Sequence, residues 1–380
     1  MKFSDFIDVR DGTHDSPKSV AGTGYPLVTT KHFGNGDIDF SNTNNISEED
    51  YIAINQRSKV DKFDILISMI GTVGSVYQER HNEPGYAIKN VGLLKFNGDE
   101  TLSNYVYYWL KGSNGQNEIK ARLKGTTQQF LSLTELRNLE IELPSRDEMD
   151  LAVKPLMLLD QKMYSLASIN DNLLELGSTL WDKYFQFANA DKQQSRLTDL
   201  ADIVAGGTPS KKNESFYDSG TIPWITPKDL SNASGTVFIN HGDVSITEAG
   251  LSGSSAKLMP AGSVLFSSRA PIGYVAIANN PVTTNQGFKS LVPHDDSETY
   301  YLYYLLKKLT PHIESVAGGS TFKEISGSGM KSIEFPKPDD VSMSEFATLV
   351  QPMFNLIREN EEEIQRLIEL RDVLLSNLLG

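Results

Sequence analysis

The chain contains no cysteine among its 380 residues. This absence excludes disulfides, thiol nucleophiles and thiolate metal sites. The six histidines are scattered along the sequence, so their spacing does not indicate a zinc site. No run approaches the roughly 18 apolar residues of a membrane span, and the acidic start of the chain differs from a signal peptide. We therefore expect a cytoplasmic protein.

Several motifs that carry catalysis are also missing. No Gly-Lys dipeptide occurs, so the chain has no P-loop. There is no Asn/Asp-Pro-Pro-aromatic tetrapeptide of the kind found in amino-methyltransferases, and no Gly-x-Gly-x-x-Gly follows a strand. Pro338-Asp-Asp340 lacks the Glu-x-Lys that would complete a nuclease motif, and a turn before the last helix explains it better. These absences favour a binding protein without catalysis of its own.

The formal charge of −14 argues against a nucleic-acid partner until its distribution is considered. Residues 1–145 carry −4, residues 146–191 carry −4, residues 192–338 carry 0 and residues 339–380 carry −6. The second and fourth segments therefore hold most of the negative charge. The first and third segments are near neutral, so each can present a local basic face.

Two long stretches carry a heptad pattern, in which apolar residues alternate at steps of three and four. The pattern predicts two long helices that pack on each other. Asn170 and Asn360 either fix the register by pairing or lie at the edge of the seam. The predicted seam comprises Leu156, Leu159, Met163, Leu166, Asn170, Leu173 and Leu180 with Ile357, Asn360, Ile364, Leu367, Leu374 and Leu378.

The chain also repeats itself at a period of about 195 residues. The clearest match places Tyr25-Pro-Leu-Val-Thr-Thr-Lys31 on Ile222-Pro-Trp-Ile-Thr-Pro-Lys228. Further matches place 64–74 on 263–273, 89–92 on 284–287, 105–111 on 301–307 and, without a gap, 125–144 on 319–338. Each repeat ends just before one of the long helices.

The matched segments are mostly short β-branched or aromatic runs bounded by Gly, Pro and Asn, which predict strands and turns. Residues 105–110 and 300–309 predict helices. The fold class is therefore α+β, with two similar globular domains, each followed by a long helix. The predicted boundaries are 1–145, 146–190, 191–338 and 339–380. The unmatched loops are 10–18 against 205–212 and 35–50 against 231–255, and they suggest one kind of task performed on two different targets.

These diverged repeats resemble the specificity subunit of type I restriction-modification systems. The resemblance rests on Pro-x-x-Thr-x-Lys at 26–31 and 223–228, Gly-Thr-x-Gly at 71–74, and the Gly-Thr-Thr and Gly-Ser-Thr elements at 125–127 and 319–321. Residues 10–17 and 206–210 look like the opening loops of target-recognition domains. The resemblance covers essentially the whole chain, and the repeated architecture carries it rather than any single motif.

The resemblance implies that each domain binds one half of a split sequence in double-stranded DNA. It implies that the two helices pack as an antiparallel coiled coil that acts as a spacer. It also implies two methyltransferase subunits that bring S-adenosylmethionine, and two restriction subunits that bring ATP-driven translocation and cleavage. The chain itself would hold no cofactor and no metal.

Arg, Lys, Gln and Thr are the residue types that contact base edges or phosphates. In the first domain we predict DNA contacts from Arg10, Thr13, His14, Ser16, Lys18, Lys31, Thr126, Thr127, Gln128 and Gln129. In the second domain we predict them from Thr208, Ser210, Lys211, Lys212, Lys228, Arg269, Ser320, Thr321 and Lys323. The ordinary alternative for each is a solvated surface residue.

Two sets of repeated residues, one of lysines and one of tyrosines, need separate interpretation. Lys31 and Lys228 recur at equivalent places, which favours phosphate contact, although a lysine stem covering apolar surface is the alternative. Tyr107, Tyr108, Tyr303 and Tyr304 could stack on bases, but their apolar helical surroundings favour the core.

Two other function classes stay open at this point. One is a two-domain module for carbohydrate or protein with a coiled-coil stalk, which would not bind DNA. The other is an enzyme with an unfamiliar active site that uses Asp37 and Asp39. The second repeat has no matching acidic pair, and turn residues explain these two aspartates equally well.

The spacer prediction is testable through helix length. A continuous helix over residues 156–187 would span roughly 48 Å at about 1.5 Å per residue. Lengthening the helix by one heptad adds about 10 Å of rise, so the unread gap between the half-sites should widen by roughly three base pairs. The measurement is the motif selected from a randomised duplex pool, and an unchanged gap would refute the spacer.

Overall fold

The computed structural model describes residues 1–34, 36–126, 128–185, 193–233, 235–269, 271–319 and 323–380. The chain forms two compact units, Met1–Ser165 with Gln365–Gly380, and Leu166–Ile364. Within the ranges just given, no helix combines the length and the apolar character that a membrane crossing requires.

The first unit contains two small sheets and a helical layer. Its strands are β1 (Asp8–Asp11), β2 (Tyr25–Val28), β3 (Asn44–Ile46), β4 (Ile65–Ser68), β5 (Val76–Gln78), β6 (Ala87–Ile88) and β7 (Val91–Lys95). Its helices are α1 (Glu48–Ser58), α2 (Glu100–Lys111), α3 (Ser113–Ala121), α4 (Leu133–Arg137) and the beginning of α5 (Arg146–Phe185). The larger sheet has the order β1-β7-β4-β5 and is antiparallel, and the smaller has the order β3-β2-β6.

The core of the first unit lies between the larger sheet and α2. Every residue of β4 and of β7 is buried, as a continuous apolar run with both faces covered requires. The α2 helix is buried on nearly all sides, and Tyr108 is fully buried. Asp99 caps the start of α2 by accepting the amide of Leu102 at 3.1 Å, and it also pairs with Arg146 at the start of α5.

The second unit has the same construction with additional short elements. Its strands are β8 (Gln194–Arg196), β9 (Ala201–Ala205), β10 (Ile222–Ile225), β11 (Phe238–Ile239), β12 (Val244–Ile246), β13 (Val264–Phe266), β14 (Val275–Ala278), β15 (Thr283–Thr284), β16 (Lys289–Pro293) and β17 (Glu334–Pro336). Its helices are α6 (Leu197–Leu200), α7 (Pro227–Asn232), α8 (Glu248–Ser252), α9 (Thr299–Val316), α10 (Gly327–Lys331) and most of α11 (Asp340–Leu379).

The sheets of the two units follow one topology, which confirms the predicted repeat. The order β9-β16-β13-β14 corresponds to β1-β7-β4-β5, with β11 added beside β14, and β12-β10-β15 corresponds to β3-β2-β6. The parallel pairs also agree, since Leu27 lies opposite Ala87 and Trp224 lies opposite Thr283. Both predicted helical runs are confirmed, as parts of α2 and α9.

One predicted match is wrong in register. The strand pairings place Lys89 at the position of Asn285, because each follows the second residue of β6 or β15. Further along, Leu94 pairs with Ile65 as Leu291 pairs with Val264, which puts Gly92 at the position of Lys289. The second unit therefore carries one extra residue between these strands, and Gly287 is not the counterpart of Gly92.

The two long helices pack against each other in antiparallel orientation. In the first unit the beginning of α5 and the end of α11 share a core, which includes Leu156 and Leu375. In the second unit the end of α5 and the beginning of α11 share another, which includes Trp181 and Phe346. The four tyrosines singled out in the sequence are buried in these cores, as predicted: Tyr107, Tyr108, Tyr303 and Tyr304.

All predicted seam residues except Leu378 are buried or half-buried. Leu378 is 42% exposed, whereas Leu375 and Leu379 are 8% and 5% exposed. A strict heptad drifts around a straight helix by about 20° per repeat, so the extrapolated pattern had moved off the core by the last turn. The prediction for Leu378 is therefore wrong.

Asn170 and Asn360 are paired and buried. The side-chain amide of Asn360 donates to Oδ1 of Asn170 at 2.7 Å, and the two residues are 7% and 4% exposed. Of the two predicted alternatives, pairing is correct. A buried polar pair of this kind disfavours other registers, because a shifted helix would leave both amides without partners.

This pair gives a stability prediction. Asn360→Ala should lower the free energy of unfolding by about 1–3 kcal/mol, because it leaves the Asn170 amide buried without its partner. Replacing both residues by Leu should be nearly neutral, since no polar group is then left unpaired. Urea unfolding monitored by circular dichroism measures both, with exposed Asn172→Ala on α5 as the control. An equal loss in the double and single variants would contradict the pairing argument.

Candidate nucleic-acid interface

The predicted contact loops of the first unit meet at one end of its larger sheet. Asp11 ends β1 and pairs with Gly92 near the start of β7, which in turn pairs with Ile67 near the end of β4. The loops that continue from these three points must therefore leave the sheet at the same end of its strands. We call the described residues of 12–18, 69–74, 89–90 and 124–130 the first loop edge.

The opening loop lies directly on the connection between β6 and β7. The Gly12 amide donates to Val91 O at 2.8 Å and the Thr13 amide to Ile88 O at 3.0 Å. A side chain at Gly12 would overlap the Ile88 carbonyl, so only glycine allows this approach. Asn90 returns the contact by donating its amide to Thr13 O at 3.1 Å, with a left-handed φ of 54°.

His14 and Ser16 reach this connection with their side chains. The His14 ring lies 2.9 Å from Asn90 Oδ1 through Nδ1 and 2.9 Å from Asp11 Oδ2 through Nε2. Both partners are oxygens, so the doubly protonated ring satisfies both contacts. The hydrogen bond to Asn90, followed by that to Asp11, raises the pKa of His14 above its ordinary value. Lys89 Nζ donates to Ser16 Oγ at 2.5 Å.

The later loop is closed by a two-residue bridge. Lys124 and Phe130 exchange backbone hydrogen bonds of 3.0 and 2.9 Å, and Gly125 makes the turn with a φ of 94°. The Leu131 amide then donates to Met69 O at 2.9 Å, which attaches the loop to the end of β4. Thr126, Gln128 and Gln129 are exposed on this loop, and Thr127 lies outside the described residues.

The second unit builds the same arrangement with other side chains. Gly207 donates to Thr284 O at 2.9 Å, as Thr13 does to Ile88, so Thr208 occupies the position of His14. The Thr208 hydroxyl hydrogen-bonds to Oε1 of Gln286. The loop is further held by Trp224 Nε1, which donates to Gly207 O at 2.9 Å. We call the described residues of 206–212, 268–273, 285–287 and 318–324 the second loop edge.

The later loop of the second unit is also closed by a bridge, here between Gly318 and Glu324. Arg269 Nε lies 4.0 Å from one carboxylate oxygen of Glu324, and Lys289 Nζ lies 3.6 Å from the other. Lys323 Nζ donates to Glu314 O at 3.3 Å. Ser320 and Thr321 lie outside the described residues.

Lys31 and Lys228 have equivalent places in two capped turns. Thr29 and His32 form a capping box around the turn Thr30–His32, and Thr226 forms one with Asp229 at the start of α7. The threonine of the repeated motif is thus explained by helix capping. Both lysines are exposed, and Lys228 Nζ pairs with Asp243 at 2.9 Å. Exposure favours a charged contact over a buried stem for these residues.

These turns adjoin the loop edges. The amides of Lys89 and Asn285 donate to the last residues of β2 and β10, Val28 O and Ile225 O, at 2.9 Å each. After Val28 or Ile225 the chain enters the turn that carries Lys31 or Lys228.

The remaining predicted residues fall into two groups. Arg10 lies within β1, where its guanidinium pairs with Asp8 at 2.6 Å and donates to Arg57 O at 2.9 Å, so it joins the strand to α1. The exposed loop residues at the edges are Lys18, Ser210, Lys211 and Lys212.

The acidic pair proposed for an enzyme serves its own turns. Asp37 Oδ1 accepts the amide of Ile38 at 2.7 Å, and Asp39 Oδ1 accepts that of Ser41 at 2.8 Å. A hydrogen bond from the Ser41 side chain, together with that from its backbone amide, lowers the pKa of Asp39. The structure thus supports the turn interpretation.

Sequence reasoning missed the residues at the centre of both edges, Lys89, Asn90 and Gln286. A signal for them existed, because both repeats contain an Asn between the two strands, β6 and β7 in one and β15 and β16 in the other. The register assumed from the sequence was wrong, so it did not predict the contact with the opening loop. Arg57 was also missed; its guanidinium pairs with the buried Asp11 and donates to Asp11 O at 3.3 Å.

Comparisons with known proteins agree with this architecture. A family model described as the type I restriction modification DNA specificity domain matches residues 1–175 and again 189–370. The MjaIX type I restriction enzyme specificity subunit of Methanocaldococcus jannaschii is 41% identical over 181 residues, which make up 47% of this chain and 41% of that protein. The chain therefore spans about two fifths of that relative's length.

Two further proteins extend the comparison to most of the chain. The EcoR124I/EcoR124II type I restriction enzyme specificity subunit of Escherichia coli is 26% identical over 286 residues, 72% of this chain and 68% of that protein. The crystal structure of a type I restriction-modification S subunit from M. genitalium shares the fold, with a TM-score of 0.57 and 17% identity over 100% of this chain and 95% of that one. Since the family model covers both repeats, the chain belongs to the type I restriction-modification DNA specificity family.

Proposed function

We propose that the chain is a sequence-specific DNA-binding subunit that recognises a split motif, with one half-site bound by each loop edge. The observation that carries this proposal is the repetition of one edge construction with different exposed side chains. Two frameworks of the same topology present His14 and Asn90 in one case and Thr208 and Gln286 in the other. A shared backbone geometry with exchanged polar groups suits two different base sequences.

The distribution of charge supports DNA as the ligand. Cationic side chains gather at or beside the edges even though the chain is acidic overall. They are Arg57, Lys89, Lys124 and Lys31 in the first unit and Lys211, Lys212, Lys228, Arg269 and Lys323 in the second. Phosphate contacts from such residues position a protein on the duplex, and base contacts then supply specificity. The negative charge is concentrated in the long helices.

The proposal extends to partners that act at the recognised site. The chain directs two methyltransferase subunits, which bring S-adenosylmethionine, and two restriction subunits, which bring ATP hydrolysis, to the DNA. It performs neither reaction and holds neither cofactor. The repeated construction supports two copies of a partner, because similar halves present similar surfaces twice. A cytoplasmic location follows from this role.

The direct test is selection from a randomised duplex pool by the full chain purified with its neighbouring methyltransferase. The pool should enrich a motif of two short sequences separated by an unread gap. Affinity should fall as salt rises, because the cationic edges release counterions from the phosphates. A pool that never enriches a split motif would exclude the proposal.

Domain exchange tests whether the edges act independently. Replacing residues 1–145 with the corresponding domain of a relative should change one half of the selected motif and leave the other half as it was. Each edge lies within one unit, so an exchange of the first leaves the contacts of the second in place. The selected motifs of parent and chimaera are compared by sequencing. A change in both halves would contradict independent binding.

The raised pKa of His14 gives a pH prediction. A base whose pKa is raised stays protonated to a higher pH than usual, so the added positive charge is present below that pKa and is lost above it. DNA affinity should therefore fall as the pH rises through the titration of His14. His14→Gln should remove this step and lower the salt dependence by about one phosphate contact.

His294→Gln provides the control for this titration. His294 is also an exposed histidine beside a carboxylate, with Nε2 3.5 Å from Asp202, but it lies at the opposite end of its sheet. Fluorescence anisotropy of a labelled duplex at a series of pH values measures both variants. An unchanged pH profile in His14→Gln would show that the His14 charge does not contribute.

A further inference from the structure

We infer that Asn90 and Gln286 are base-reading residues, one at the centre of each loop edge, and that each recognises an adenine through its side-chain amide. Neither residue is suggested by the strand and turn pattern of the chain. The inference rests on the proposed function, since it assigns roles within the same DNA interface. Its basis is a contact that both units make at structurally equivalent positions.

In the first unit, Asn90 is held in place from two directions. Its backbone adopts a left-handed conformation and donates to Thr13 O, and its side-chain oxygen contacts the His14 ring at 2.9 Å. Asparagine tolerates this backbone conformation better than most residues. The residue is half-buried, so part of its amide faces solvent beyond the sheet.

In the second unit, Gln286 takes the same role from a connection that is one residue longer. Its side-chain oxygen accepts a hydrogen bond from the hydroxyl of Thr208, which occupies the position of His14. Gln286 itself is exposed. Asn285 beside it is engaged locally, since its Oδ1 accepts the Gly287 amide at 2.8 Å. Gln286 is therefore the amide that the opening loop orients, as the loop of the first unit orients Asn90.

The shared device leaves a specific set of hydrogen-bonding groups. The opening loop contacts one lone pair of the amide oxygen, which leaves the second lone pair and both N–H groups for a ligand. An acceptor beside a donor is the pattern that asparagine and glutamine use on adenine, accepting from N6 and donating to N7 in the major groove. The anchored oxygen also fixes the amide orientation before binding, which lowers the entropic cost of contact.

The surroundings separate this role from phosphate binding. A neutral amide is a weak phosphate ligand compared with a cation. Each edge has a cationic side chain near its amide. Lys89 adjoins Asn90, and Arg269 lies on the turn that adjoins Gly287, where Ser268 donates to Gly287 O at 2.8 Å. The cations can hold the backbone while the amide between them meets a base edge.

The test is pool selection and binding with the full chain, purified with its methyltransferase as above. Asn90→Gly removes the amide without straining the left-handed backbone, and Gln286→Ala removes the other amide. Asn90→Gly should lose the preference for an adenine in one half-site only, and Gln286→Ala should lose it in the other half-site only. In each variant, the half-site bound by the unchanged unit serves as the internal control, because its preference should stay parental.

Asn97→Gly is the matched control in the first unit. Asn97 is an exposed asparagine with a φ of 52°, but it follows β7 at the opposite end of the same sheet. This variant should select the parental motif. If it loses the adenine preference as Asn90→Gly does, the effect comes from general destabilisation and the inference fails.

An atomic substitution in the DNA tests the contact itself. Replacing the preferred adenine by 7-deazaadenine removes the N7 acceptor, and should weaken binding of the parental chain by about five- to a hundredfold. The same replacement should have little effect on Asn90→Gly in its half-site or on Gln286→Ala in the other. Equal losses in parent and variant would overturn the inference.

The outcomes distinguish this inference from the function on which it rests. If the parental chain selects a split motif and the amide variants select the same one, only the roles of Asn90 and Gln286 are wrong. If the parental chain selects no motif at all, both the proposed function and this inference fail.

Discussion

The close approach of the opening loop to its neighbouring connection is the constraint on which both loop edges depend. At Gly12 and Gly206 a side chain would overlap the backbone of Ile88 or Asn285. With no side chain there, the next amide reaches the carbonyl of Ile88 or Thr284. That contact fixes the backbone at the start of the opening loop, one residue before His14 or Thr208. His14 meets Asn90, and Thr208 meets Gln286, because of it.

The framework beneath the edges explains how the exposed groups can differ without loss of fold. The strands β4 and β7 of the first unit and β13 of the second are buried throughout. Val91 and Phe288, which accept the glycine amides, have no exposed surface. The aromatic residues of α2 and α9 pack on the long helices, away from the loops. Polar exchanges at the edges therefore leave the buried apolar area almost unchanged, and that area supplies most of the stability. Sequence divergence is tolerated where the ligand would be bound.

Much of this architecture could be predicted from the sequence, because its strongest signals are periodic. The heptads located both long helices, and the gapless match of 125–144 with 319–338 is confirmed by the bridges that close both later loops. The register around Lys89 was not predictable, since a single extra residue changes the partners of every side chain after it. Arg10 illustrates another limit: its residue type suits DNA, yet its hydrogen bond to Arg57 O joins residues far apart in the sequence and forms only on folding.

The buried pair Asn170 and Asn360 connects these observations to specificity. An apolar seam alone would accept several registers, because leucine side chains pack in many alternative ways. A polar pair with 4% and 7% exposure makes every other register costly, since each misplaced amide would lose its hydrogen bond away from water. The pair therefore selects one register of α5 and α11, which an apolar seam alone would leave open.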